Sequence, residues 1–234
     1  MKNKKSILAI DSAESFLKLA LYADGKTYKT QKKTIKQEKY LFVFIEKLLG
    51  KAKLKFKDID VVCVLKGPGR FTGIRIGLTL ASIMQKFNKS KTFAVSLLDA
   101  LCFETVGTQE FKKWFLKNPK GEVAGIIHAF REEYYLQFFK VNSENAPVTK
   151  LKALWLTKDD LMRHLKKQKS PLFITGWAKD YFPLSEIIKN KKYNYLTPSA
   201  SGLNPVTLIE MVKTDTLVSR NLTPLYLKKA RFEI

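Results

Sequence analysis

Histidine and cysteine each occur twice in this chain of 234 residues, and arginine six times. Each scarcity excludes something. His128 and His164 are too far apart in sequence for an H-x-x-x-H or H-E-x-x-H metal pair, and neither a Cys–His nucleophile signature nor a G-x-S-x-G elbow is present. Cys63 and Cys102 sit in apolar runs and form no C-x-x-C unit, so they read as small core residues in a reducing compartment. No apolar run is long enough to span a membrane. The run Ile7 to Ile10 stops at Asp11, too short for the core of a signal peptide. A soluble, cytoplasmic protein with no membrane contact is the expectation.

Lysine, by contrast, is abundant. Basic residues number 43 against 21 acidic ones, a formal charge of +22. The lysines are scattered, as at 51, 53, 55 and 57, at 112, 113, 117 and 120, at 166, 167 and 169, and at 189, 191 and 192. With so few arginines to grip phosphates or bases bidentately, that pattern suits solvated element ends as well as a nucleic-acid groove. Weak, non-specific attraction to RNA or to an acidic protein follows from the net charge alone. Hydrophobic residues make up 45% of the chain and aromatics 12%, enough for a packed core in one large or two modest domains.

Glycine is concentrated in one place. Gly67, Gly69, Gly73 and Gly77 are four of the 11 in the chain, and they lie between a β-branched strand, Asp60 to Leu65, and a helical pattern, Ile74 to Phe87, with Thr72 as its expected N-cap. A P-loop requires Lys and Ser/Thr after its last glycine, and Ile74-Arg75 stands there instead. The dinucleotide template G-x-G-x-x-G fails because Thr72 occupies the third glycine's place. The glycines therefore read as a sharp strand-to-helix turn in preference to a phosphate cradle. Gly77 lies inside the helix, where glycine costs about 1 kcal/mol relative to alanine. With Gly73 and Ala81 it forms a strip of small residues at i, i+4 and i+8, open to close packing either by the same chain or by a second protein.

The first part of the chain reads β-β-β-α-β-α-β. Strands Ser6 to Ile10, Phe16 to Tyr22 and Lys26 to about Thr30 are joined by the Asp11–Ser15 turn and an Asp24-Gly25 hairpin. The helix from Lys36 to Leu49 carries Leu41, Phe44, Ile45 and Leu48 on one stripe, with Tyr40, Phe42, Val43 and Leu49 apolar besides. So wide an apolar surface implies two buried faces. After a strand at Thr92 to Val95, the pattern begins again. A helix over Leu97 to Val106 and a mixed segment to Pro119 lead to strands at Val123 to Ala129, Tyr134 to Val141 and near Leu151 to Leu156, then a helix started by Thr157 and Asp160, a strand at Leu172 to Thr175, and a helix opened by Asn204-Pro205. The expectation is a duplicated α/β fold, with domains at 1–106 and 107–234.

Catalytic groups are sparse. Asp11, ending the first strand, is the best single carboxylate, either functional or turn-capping. His164 reads as solvated, and His128 as a strand-end residue or the lining of a site.

Three blocks carry a resemblance. Ile7-Leu8-Ala9-Ile10-Asp11-Ser12-Ala13, the run from Gly67 to Gly77, and Pro224-Leu225-Tyr226-Leu227-Lys228 resemble the signatures of the TsaB (YeaZ) family. The resemblance implies a bacterial cytosolic protein of the actin-like ATPase superfamily with two tandem ribonuclease-H-like domains. It also implies a part in forming N6-threonylcarbamoyladenosine at position 37 of tRNAs reading ANN codons. Family members support a TsaD transferase subunit, which carries the metal and the chemistry, and a TsaE ATPase completes the complex; tRNA is reached through that complex, and a homodimer is expected for the chain alone. It assigns the contact surface to the two helices, here Tyr40, Leu41, Phe44, Ile45 and Leu48, and Gly73, Ile74, Gly77, Leu78 and Ala81. No cofactor or metal is implied for this chain. Superfamily ATPases hold phosphate with an Asp-x-Gly turn, matched here by Asp11-Ser12-Ala13 without the glycine. A residual nucleotide site would use Asp11, Ser12, Gly67, Gly69 and Thr72, and a kinase or ATPase of this fold is the alternative function. A peptidase, an old association of the family, is disfavoured by the absence of a nucleophile–base pair. Arg70 in place of a usual serine, Gln37-Glu38-Lys39 at the start of the first helix, and His128 in place of a common aspartate depart from the family pattern.

Overall fold

Ile7–Asp11 (β1) and Val61–Leu65 (β4) are buried along their whole length, as strands covered on both faces must be. They pair in parallel at the centre of a mixed five-stranded sheet, ordered β3-β2-β1-β4-β5 with Phe16–Ala23 (β2), Lys26–Lys33 (β3) and Lys91–Val95 (β5). The Asp24-Gly25 hairpin joins β2 to antiparallel β3, both turn residues taking positive φ (49° and 78°) as a tight two-residue connection requires. Gln37–Ala52 (α1) packs on β2 and β3 and Phe71–Phe87 (α2) on β4 and β5. Val206–Lys213 (α6) packs on β1, β2 and β4, burying Leu208, Ile209 and Met211.

The structure, a computed structural model, describes residues 5–177, 193–196 and 202–227. Lysines 2 and 4, lysines 189, 191 and 192, and Lys228 lie outside them. The chain divides into two compact units: Met1–Leu97 with Asn204–Leu225, and Leu98–Leu203 with Tyr226–Ile234. The expected boundary after residue 106 differs from this in two respects. Leu97–Val106 (α3) groups almost wholly with the second unit, and α6 returns to the first because its apolar face closes the first sheet.

The second sheet is also mixed, ordered β11-β10-β6-β7-β8 over Tyr193–Leu196, Leu172–Trp177, Glu122–Phe130, Glu133–Val141 and Pro147–Thr149, with Leu154–Thr157 (β9) pairing β7. Thr157 caps Lys158–Lys167 (α5), accepting the Asp160 N–H at 3.3 Å, and Leu161 and Leu165 enter a core with Ile126, Tyr134, Phe138 and Ile174. The segment read as mixed holds a helix, Gln109–Lys117 (α4), capped by Thr108 and anchored by Phe111 and Trp114, whose rings lie 5.2 Å from that of Phe173. Among the described residues no helix is long and apolar enough to cross a membrane.

Candidate functional site

The glycine joint is filled by the chain's own backbone. The turn between β1 and β2 runs directly against it: a Cβ at Gly69 or Gly73 would overlap the carbonyl oxygens of Ala13 and Ser12, and one at Gly77 would lie 2.8 Å from Ser12 Oγ. Hydrogen bonds fix the approach. Arg70 N–H donates to Ala13 O (2.7 Å), Ser12 Oγ donates to Gly73 O (2.8 Å), and on the other side Gln37 Nε2 donates to Glu14 O (2.7 Å). This one turn therefore holds the first turns of both α1 and α2. The third sequence block arrives at the same place, with Leu225 N–H donating to Lys66 O (2.7 Å) and Leu225 O lying 2.9 Å from where a Cβ on Gly67 would be. Gly67 itself has φ +108°. The helix starts at Phe71, capped by Arg70 without a side-chain bond, so Thr72 is an exposed first-turn residue and not the N-cap expected from sequence.

Asp11 is enclosed. Register places it opposite Lys18 on β2, and Lys18 Nζ sits 2.7 Å from Asp11 Oδ2 with both side chains closed to solvent. Lys18 also bonds to Glu14, and Ala13 N–H donates to Asp11 Oδ1 at 3.1 Å. Burial raises the Asp11 carboxyl against the pull of the Lys18 ammonium. Burial, then the neighbouring Asp11 charge, push Glu14 up to about 8. Burial opposes the charge on Lys18, but Asp11 and Glu14 together outweigh it and raise its pKa. Two carboxyls thus share one buried ammonium, and burial with the neighbouring Asp11 charge favours the protonated form of Glu14 near neutral pH.

Of the five residues of the candidate nucleotide site, Asp11, Ser12, Gly67 and Gly69 are engaged within this joint and Thr72 faces outward. His128 Nε2 lies 2.6 Å from Arg131 O. His164, read as solvated, is half-buried in the last turn of α5. Among the described residues no three of His, Cys, Asp and Glu come together as metal ligands.

The apolar surface on α1 and α2 differs from the expected one. Phe44, Ile45 and Leu48 are buried, as are Gly73, Ile74, Gly77 and Ala81, so these seven face the protein's own core. The strip of small residues serves close packing within the chain, on Ser12 and Val64. What lies outside are larger side chains: Phe42 (52% exposed), Val43 (55%), Phe71 (53%) and Ile83 (45%). Between the helices runs an apolar groove of about 470 Å³, lined by Leu41, Phe42, Phe71, Ile76, Leu80 and Ile83. Glu38 and Arg75 edge it, the guanidinium 3.8 Å from the centre of the Phe71 ring. Adjoining it along α2, a second depression of about 480 Å³ includes Leu78, Ile83 and Phe87. Of the ten residues expected at the interface, Leu41 and Leu78 are buried as well, each lining the floor of a groove, and Tyr40 is half-buried. The missed residues left a signal in the sequence, since Phe42 and Val43 fall off the buried stripe and Phe71 precedes the helical pattern.

Residues 33–152, just over half of the chain, match the family model for TsaD, tRNA N6-adenosine threonylcarbamoyltransferase. Over nearly the whole length, the chain is similar to proteins named tRNA threonylcarbamoyladenosine biosynthesis protein TsaB. That of Buchnera aphidicola subsp. Schizaphis graminum is 28% identical, covering 88% of this chain and 95% of the relative. That of Haemophilus influenzae is 23% identical, covering 95% and 93%. The crystallised YeaZ from Pseudomonas aeruginosa shares the fold with a TM-score of 0.65 at 17% identity, covering 95% of this chain and all of that one. The chain belongs to the TsaB (YeaZ) family. The three blocks that resemble TsaB signatures, separated by up to some two hundred residues of sequence, meet at the joint beneath α1 and α2, the third of them through Leu225.

Proposed function

We propose that this TsaB-family chain is a non-catalytic subunit of the machinery that forms N6-threonylcarbamoyladenosine at position 37 of tRNAs reading ANN codons. Its role is to support a TsaD-like transferase subunit, and the α1–α2 face is the surface that docks on it. The observation that carries this reading is the near full-length similarity to relatives named TsaB. The exposed apolar groove supports a docking role, because a contiguous apolar surface of this kind on a charged, lysine-rich chain is a mark of a partner. The same face serves a homodimer when the transferase subunit is absent. A TsaE-like ATPase joins the assembly, which reaches tRNA in the cytoplasm.

The isolated chain carries out no chemistry in this reading. Support comes from Asp11, the carboxylate that a nucleotide-dependent relative would need, which already serves Lys18 inside the fold. Two tandem ribonuclease-H-like domains are the architecture proposed, supported by the matching strand orders β3-β2-β1-β4-β5 and β8-β7-β6-β10-β11. The test is reconstitution. With the TsaD-like and TsaE-like subunits of the same organism, N6-threonylcarbamoyladenosine should form on tRNA only when this chain is added. Equal product without it overturns the proposal.

A further inference from the structure

The first unit has a third cleft, of about 510 Å³, between α6 and the starts of β1, β4 and β5. Four cations edge it: Lys5, Lys91, Lys213 and Arg220. Among the described residues no acidic side chain lines it; Glu210, one turn earlier on α6, pairs with Lys213 at 3.0 Å. Two half-buried aromatic rings lie within, each beneath a cation. Lys213 Nζ is 3.7 Å from the centre of the Tyr22 ring, and the Arg220 guanidinium is 5.5 Å from that of Phe93.

These groups come from four separate parts of the sequence, so the cluster is made by folding and not by a lysine run. Glu210 offsets Lys213 alone, and the like charges of Lys5, Lys91 and Arg220 around an apolar floor make a positive field that the cleft geometry concentrates and that an anion would relieve. The C-terminal end of α6 accounts for Lys213, since a cation is favoured there. It does not account for Lys5, Lys91 or Arg220, one of the six arginines in the chain. Basic side chains interleaved with aromatic faces suit phosphates joined to bases that can stack.

We propose that this cleft binds the backbone of an unpaired RNA segment, with Lys5, Lys91, Lys213 and Arg220 on phosphates and Tyr22 and Phe93 beneath bases. The choice of RNA over DNA rests on the tRNA-modifying reading; the phosphate contacts do not. The chain thereby touches RNA itself, in addition to reaching it through a partner.

Anisotropy of a fluorescein-labelled 12-mer oligouridine, titrated with the full chain over a series of salt concentrations, tests this without any partner subunit. Its failure is therefore distinct from failure of reconstitution. Lys91→Glu with Arg220→Glu should weaken binding about tenfold or more and flatten the logarithmic salt slope by about 1.4, at roughly 0.7 for each phosphate no longer neutralised. Lys47→Glu with Lys51→Glu on α1 changes the net charge equally and should weaken it less than about threefold. Equal losses from the two pairs, or tighter binding of a DNA 12-mer, overturn the assignment. Photocrosslinking of a 4-thiouridine oligomer to the unmodified chain gives a reading independent of variant folding. Crosslinks in the Tyr22 or Phe93 peptides are expected, and crosslinks confined to other peptides overturn it.

Discussion

Lys18 on β2 stands directly across from Asp11 on β1, and the two side chains meet at 2.7 Å in a place closed to solvent. With Glu14, Lys18 fixes the turn that carries the first residues of both α1 and α2. Removing one partner of a buried ion pair costs about 3–5 kcal/mol, because the remaining charge has no counterion. Lys18→Met should lower the stability of the chain by that order at pH 8, measured by urea unfolding. Adding Asp11→Asn to it should recover part of the loss. A Lys18→Met variant as stable as the parent would show that the cluster does not hold the turn.

The same cluster gives stability a sign with pH. Glu14 has its folded pKa raised to about 8 from an ordinary 4.5, so the folded state holds a proton that the unfolded chain releases between those values. Its contribution is complete below about pH 4.5 and is lost as pH rises through about 8. Glu14→Gln should therefore reduce the fall in melting temperature between pH 5 and pH 8.5, where each kcal/mol is worth about 2–4 °C in a chain of this size. Identical pH profiles for parent and variant would contradict the buried, protonated carboxyl.

Gly77 is an internal packing residue. Gly77→Leu should lose several kcal/mol, as overpacking against Ser12 and Val64 does, and prevent folding or association together. Gly77→Ala needs only a shift of Ser12 Oγ, and should cost about 1 kcal/mol while leaving association intact. Circular dichroism melts with sedimentation of both variants separate this from an interface role, in which Gly77→Leu would remain folded but monomeric.

Much of this joint was legible in the sequence, because glycine spacing and β-branched runs report backbone requirements that are local. The strand-turn-helix around Gly67 to Gly73 is one case. The orientation of α2 was not legible, because two apolar faces competed. Residues 76, 80, 83, 84 and 87 have helical spacing, yet the core centres on the side with Gly73, Gly77 and Ala81, where the sheet can approach closely, so that of those five Leu80 and Met84 are buried while Ile83 and Phe87 are left outside. The Lys18 cluster was also hidden, since a lysine within a chain of so many lysines becomes informative only when register brings it to Asp11. α4 was missed because it is nine residues long, and its anchors, Phe111 and Trp114, are explained by Phe173 about sixty residues later.

Asp11 should support no nucleotide chemistry. Titration calorimetry of the purified chain with Mg-ATP is expected to show no saturable micromolar binding, and phosphate release should not exceed the buffer blank. Turnover that disappears in Asp11→Asn would contradict this and favour an ATPase or kinase.

The docking face is tested most directly by co-purification of the affinity-tagged chain with the TsaD-like subunit of its own organism, comparing the parent with Ile83→Asp and Phe42→Asp. Both side chains are about half exposed, so the folded chain should lose little stability. At a buried contact, an unpaired carboxylate costs several kcal/mol, so retention of the partner should fall at least about a hundredfold in affinity. Loss of the transferase subunit from both variants, with unchanged melting temperatures, is the predicted result. Retention equal to the parent in both would contradict the α1–α2 face as the site of docking.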